Sequence, residues 1–162
     1  MIEIAEAKLS ELTEIMAIEN EGFSQSEAAT PKAMKERIEK ISDTFLVASE
    51  KGQVLGYIVG PAYHRRYIDD DLFEKVEPNH EMDTTQTILS LATADFARKR
   101  GIATQLLKAL EKVARKQNRA IISLTCLEKL IPFYEAHGYQ NEGIAESIHG
   151  GEKWYNMTLT LK

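Results

Sequence analysis

Residues Arg98-Lys99-Arg100-Gly101-Ile102-Ala103-Thr104 set three cations beside a glycine and small side chains, where one sequence periodicity gives way to another. Before them, TILSLATA (87–94) is an apolar run that reads as a buried strand. After them, Ile102, Ala103, Leu106, Leu107, Leu110, Val113 and Ala114 fall on one face of a helix. A strand, a basic turn and a helix N-terminus together make an anion site. The first helical turn has N–H groups without partners, and the macrodipole adds partial positive charge there. Gly101 and Ala103 keep side chains out of the path of a phosphate oxygen. The competing reading is an ordinary strand–turn–helix with a solvated basic turn. The run lacks both GK[ST] and GxGxxG, so it is neither a Walker loop nor a dinucleotide fingerprint.

Two other groups invite chemistry and are better explained by structure. Asp69-Asp70-Asp71 offers three carboxylates, but consecutive residues do not converge on one point and no calcium-loop spacing follows them. Capping of a short helix through Val76, or a solvated acidic turn, is the expected role, and no metal is expected. The one cysteine, Cys126, ends an apolar run and reads as a buried small hydrophobe.

The elements that must position these groups follow from the chain in order. MIEIA (1–5) alternates as a half-buried strand, and Ser10 to Asn20 reads as a helix with Leu12, Ile15, Met16 and Glu19 on one side. Phe23 to Ala29 is a loop. Thr30-Pro31 then reads as an N-cap followed by proline at the first helical position, with Met34, Ile38 and Ile41 facing inward. Residues 45–48 and 54–59 are strands joined by a Lys51-Gly52 turn. Gly60 to Asp83 is irregular and long for a loop, which marks it as a binding wall. Ala120 to Thr125 is a buried strand, Glu128 to His137 a short helix stopped at Gly138, and residues 139–147 and 154–161 form a closing hairpin. Lys108, Lys112, Arg115, Lys116 and Arg119 read as a solvated face. The predicted order, β-α-α-β-β-β-α-β-α-β-β, is a mixed α/β arrangement in one domain over residues 1–162, a twisted central sheet flanked by helices.

Composition narrows the partners. The net charge of −5 argues against a nucleic-acid binder and fits amine substrates. No apolar run is long enough for a signal or a membrane span, and a single cysteine fits a reducing compartment, so a cytoplasmic protein without membrane attachment is expected.

Arg98-x-x-Gly101-x-Ala103 is similar to the (Q/R)-x-x-G-x-(G/A) signature of the GNAT-type N-acetyltransferases, and the element order is the one associated with their fold. Leu124-Thr125-Cys126, Leu130-Ile131-Pro132-Phe133-Tyr134-Glu135, Glu19-x-Glu21-x-Phe23 and Leu91-Ala92 resemble the arylalkylamine (serotonin) N-acetyltransferase branch. The resemblance implies acetyl-CoA as co-substrate and a primary amine, an aralkylamine or other small molecule, as acceptor. It implies that Leu91, Ala92 and Thr93 lie along the pantetheine arm and that Arg98, Lys99, Arg100, Gly101, Ile102, Ala103 and Thr104 hold the pyrophosphate. Phe133 belongs to the same cofactor set, and Tyr134 is the implied general acid for the departing thiolate. Two histidines of that branch are missing: Thr87 and Leu89 stand at their positions. Glu19, Glu21, His80, Asp83 and His149 remain as routes for the amine's proton. A protein or peptide N-acetyltransferase and a non-catalytic CoA-binding module are the alternative readings, and either a monomer or a homodimer is compatible with the chain.

Overall fold

The computed structural model describes residues 1–147 and 149–162. Among the described residues, nine strands form two sheets rather than one. The first sheet is antiparallel throughout, with β1 (Glu3–Glu6), β2 (Phe45–Glu50), β3 (Gln53–Val59) and β6 (Ser90–Thr93) in spatial order β1-β2-β3-β6. The second is mixed, in order β4-β5-β7-β9-β8, built from β4 (Ala62–Tyr63), β5 (Thr85–Ile88), β7 (Ile121–Cys126), β8 (Gln140–Ile144) and β9 (Tyr155–Thr160). Its one parallel pair is β5 with β7.

The apolar run at 87–94 is where the sheets meet. Expected as a single strand, it breaks at Leu89 into β5, paired with β7, and β6, paired with β3. Leu89 N–H donates to the Val59 carbonyl at 2.7 Å, while Ser90 also stands opposite Val59. Two residues facing one is a β-bulge, which bends the chain and shifts the alternation by one place. Gly60, just past the bulge's partner, has no room for a side chain: a Cβ there would lie 2.0 Å from the Thr87 carbonyl oxygen.

Around the sheets pack the helices α1 (Leu12–Gly22), α2 (Pro31–Lys40), α3 (Asp71–Glu74), α4 (Ile102–Lys116) and α5 (Ile131–Ala136). Thr30 caps α2 as its sequence foretold, its hydroxyl accepting from Ala33 N–H at 3.1 Å. Helix α4 buries Ile102, Leu106, Leu107, Leu110 and Ala114, the predicted stripe, against β2, β3 and β6. The core joins both sheets, from Ile15, Met34 and Ile41 through Tyr57 and Ile58 to Ile122, Leu124 and Met157.

Four expectations are corrected. The short helix after the aspartates ends at Glu74 instead of Val76, and the Asp70 side chain does not cap it; Asp70 accepts from the Ser147 hydroxyl. Asp69 accepts from Tyr63 and Arg65, so neighbouring carboxylates are drawn to different partners. Arg119 leaves the solvated face: only 3% exposed, it donates to the carbonyls of His80, Glu81 and Asp83. The closing hairpin forms as expected, but its first strand is shorter, β8 ending at Ile144 instead of Ser147, and β9 begins at Tyr155.

Candidate functional site

β5 and β7 run side by side only as far as Ile88 and Leu124. Beyond that point β6 follows β3, and Thr125 and Cys126 follow β9. The sheets therefore splay, and a cavity of about 690 Å³ opens between them, with Leu91 on one side and Leu124 to Leu127 on the other.

The edge of β6 that faces this opening has no strand beside it. Ala94 N–H donates to the Leu55 carbonyl, so Ala92, paired with Tyr57 in the same register, also turns its main-chain groups to β3. Leu91 and Thr93, between them, direct their N–H and C=O groups away from β3. Of the three residues expected along a pantetheine arm, these two offer free hydrogen-bonding groups and Ala92 offers none.

From Thr93 the chain makes a single 3-10 turn at Asp95–Ala97 and reaches the basic turn. Lys99 and Gly101 are both left-handed, at φ 67° and 76°. Residues in this conformation curl the backbone so that successive N–H groups converge, an arrangement suited to anions. Gly101 is the N-cap of α4, a residue with no side chain to cap the helix, so the first-turn N–H groups of Ile102, Ala103 and Thr104 stay open. A Cβ on Gly101 would meet nothing within 4 Å, so it is backbone conformation that calls for glycine. Arg98 pairs with Asp95 at 2.8 Å and Arg100 with Glu50 at 3.1 Å, both at the surface. Ile102 is buried, so only its main chain is available.

Tyr134 lies in the cavity wall on α5, on the opposite side from Leu91. Proline at the start of α5 and Gly138 just past its end (φ 90°) confine this helix to less than two turns. Its ring meets those of Phe133 and Tyr139 edge-on at 5.1 and 5.7 Å. Among the described residues its hydroxyl has no hydrogen-bond partner, although the residue is only 7% exposed. Burial, with a smaller contribution from Cys126, lifts the phenol's pKa well above the ordinary range. Cys126 shares the wall; desolvation pushes its thiol up to about 11, so it is protonated at neutral pH and is no nucleophile there.

Phe133 is not part of the cavity wall; its ring lies tilted against that of His137, with centroids 4.6 Å apart. His137 Nδ1 lies 2.8 Å from the Phe133 carbonyl, which can only accept, so Nδ1 carries the proton. In the neutral ring Nε2 then accepts from the Thr104 hydroxyl at 2.9 Å. This link ties α5 to the first turn of α4.

The cavity is also walled by Phe23 and residues 26–30 of the loop between α1 and α2, by Asp70, Phe73 and Glu74 of the long irregular segment, and by His149 and Trp154 from the β8–β9 connection. Only residues 70–74 of Gly60–Asp83 reach it; Arg66 and Tyr67 instead bind Glu142 on β8. Of the five groups considered for the amine's proton, Glu19 and His149 line the cavity. Glu19 is only 2% exposed; it accepts from the Tyr57 hydroxyl and from Ala29 N–H. The bond to Glu19 and burial, burial foremost, hold the Tyr57 phenol protonated. His149 donates Nε2–H to the Glu27 carbonyl and stacks on Phe73 at 4.2 Å. Sequence reasoning passed over Arg37 altogether. It lines the cavity from α2, and a cation beside Met34 and Ile38 on an otherwise apolar face was the available signal.

The open strand edge, the uncapped helix and the cavity suit a long ligand that ends in a pyrophosphate. Solved structures share the whole fold. Ard1 from Thermoplasma volcanium superposes with a TM-score of 0.79 at 19% identity, covering 99% of this chain and 98% of that one. The ribosomal-protein-alanine N-acetyltransferase from Brucella melitensis gives 0.71 at 20%, covering 98% and 99%. yncA from Salmonella typhimurium, whose structure holds its cofactor acetyl-CoA, gives 0.72 at 16%, covering 100% and 95%. No curated protein matches the sequence. The family model described as the acetyltransferase (GNAT) family matches residues 11–139, and the chain accordingly belongs to that family of acetyl-CoA-dependent transferases.

Proposed function

We propose that the protein moves an acetyl group from acetyl-CoA to the primary amine of a small molecule, by direct attack while both are bound. The observation that carries this reading is the cavity between the splayed strands, which has the tyrosine hydroxyl on one side, the open edge of β6 on the other, and loops walling its far end. Thr93 and Leu91 bind the pantetheine amides along that edge, and the turn from Arg98 to Thr104 binds the pyrophosphate through its main-chain N–H groups. Acetyl-CoA supplies the acyl group already activated as a thioester. The Leu91 N–H donates to the acyl oxygen as negative charge develops on it. Tyr134, protonated and without another partner, gives its proton to the sulfur as the carbon–sulfur bond breaks, and recovers one from the nitrogen that has become an amide. The amine enters neutral; Glu19 supplies a fixed negative charge near its entry and His149 a polar exit for its proton.

A volume of about 690 Å³, shared by the end of the pantetheine arm and the acceptor, favours a compact amine. An aralkylamine of the kind suggested by the CLEKLIPFYE stretch is compatible with the aromatic wall of Phe23, Phe73 and Trp154. The second reading is a protein or peptide amine as acceptor, favoured by the fold shared with the ribosomal-protein-alanine N-acetyltransferase from Brucella melitensis. Thiol release from acetyl-CoA, measured against small amines and against peptides of ribosomal-protein N-termini, decides between them. Turnover confined to peptides would overturn the proposal in favour of the second reading.

A further inference from the structure

Arg37 heads the fully buried side chains of this protein by size, with 1% of its surface exposed. Its Nη2 donates to the Phe73 carbonyl at 3.0 Å, and its Nη1 has no partner among the described residues. Among the described residues it forms no ion pair. Glu19 attracts it through space, but both Glu19 oxygens are engaged by Tyr57 and by Ala29 N–H. An arginine cannot relieve this situation by losing its proton in the physiological range. A buried guanidinium with a donor left over is unfavourable unless something supplies the missing acceptor. Arg37 stands in the cavity wall with its Nη1 just beneath the accessible surface, so a molecule seated in the cavity supplies the missing acceptor once the side chains around Arg37 shift slightly.

We propose that the acceptor is an amine that also bears a carboxylate, an α-amino acid or close analogue, with the carboxylate received by Arg37. The inference rests on the reading of the cavity as an amine-acceptor site and narrows it to a substrate class. The arrangement of charge agrees. Glu19, Glu27, Asp70 and Glu74 give the wall an acidic majority that attracts the amino group, while Arg37 is its one fully buried cation. An acid-rich wall of this kind repels a phosphate dianion but accommodates a zwitterion. The free donor is a single Nη whose neighbour is already committed, which suits one planar carboxylate oxygen better than a tetrahedral group. Phe73 ties the two ends together, since its carbonyl anchors Arg37 and its ring stacks on His149.

The test uses matched pairs that differ only in the carboxylate: phenylalanine with phenethylamine, and tryptophan with tryptamine. Wild-type protein should acetylate the amino acid of at least one pair with a kcat/KM about 10²-fold or more above that of its partner, the kind of discrimination shown by a site with a buried donor to satisfy. Arg37→Met should abolish that preference, and Arg37→Lys should retain part of it. Because Arg37 is buried and these variants could fold poorly, a second measurement uses wild-type protein loaded with CoA. Calorimetry should detect binding of 3-phenylpropanoate, which has the carboxylate and no amine. Equal or better turnover of the decarboxylated amine in both pairs overturns the inference, as does absence of 3-phenylpropanoate binding. Failure of the functional reading looks different, with no amine of any kind acetylated by protein that still binds acetyl-CoA; carboxylate binding remains measurable in that case.

Discussion

Tyr134 and Gly101 show how a side chain and a lack of one can serve the same reaction. Tyr134→Phe removes a proton donor and keeps the ring between Phe133 and Tyr139. The variant should fold, bind acetyl-CoA with unchanged affinity, and lose about 10²- to 10⁴-fold in kcat; a variant with wild-type kcat would dismiss the acid. Since burial raises the phenol's pKa, its protonated form persists past the ordinary value of about 10. Activity should therefore climb from about pH 6 to 9 as the acceptor amine becomes neutral, with no descending limb from Tyr134 in that range. A flat kcat/KM profile there would remove the requirement for a neutral amine. At Gly101 a side chain would meet open space but would have to adopt φ 76°. Gly101→Val should cost about 1–2 kcal/mol in stability, read by denaturant melts, and weaken acetyl-CoA binding by about 10-fold or more. Unchanged affinity by calorimetry would place the pyrophosphate elsewhere. Helical position alone makes Tyr134 a core aromatic; the FYE resemblance singled it out. Arg37 was passed over, and the burial of Glu19 was not foreseen, because burial of a charged residue is decided by what packs over it.

Among the elements, those with strong local signals were readable and those made by long-range pairing were not. The stripe from Ile102 to Ala114 and the Thr30-Pro31 start correspond to α4 and α2 within a residue or two. The bulge at Leu89 and Ser90 left no mark in the apolar run, because it arises from a partner, Val59, 30 residues away. The long segment at 60–83 was recognised as irregular, yet its division of labour was not: residues 70–74 face the cavity, while Arg66 fastens the stretch to β8. That fastening has a pH signature. Arg66 holds the Glu142 carboxylate at about 2, below its unfolded value of about 4.3. A depressed acid contributes stability above its unfolded pKa and loses it as pH falls through the folded one. Arg66→Ala should therefore lower stability at pH 7 by about 1 kcal/mol or less, as Arg66 is half exposed and screened. The difference from wild type should vanish between pH 4 and 2. Acid titrations of both proteins, followed by circular dichroism, check this; a difference that persists at pH 2 would assign the effect to packing.

On the scale of the molecule, the mixed α/β class and element order were legible, and the division into two sheets was not, since a strand that changes partners midway keeps the same hydrophobic pattern throughout. That change of partners leaves Leu91 and Thr93 with main-chain groups facing the cleft, while those of Ala92 are already engaged with β3. Addition of acetyl-CoA should slow amide hydrogen exchange at Leu91 and Thr93 and leave Ala92 as it was; equal effects at all three would contradict the alternation. The same split means that the two sheets are joined where the chain crosses between them, at Gly60-Pro61 and at Leu89, with the far ends of β6 and β7 free of each other. An extended molecule bonded to β6 and seated against β7 acts as a stitch across that seam. At 100 times its dissociation constant it adds about 2.7 kcal/mol to the folded state. In a cell the fraction of chains open to proteases would then fall as free acetyl-CoA rises, so that the amount of this protein, and not only its rate, becomes a gauge of the acetyl supply.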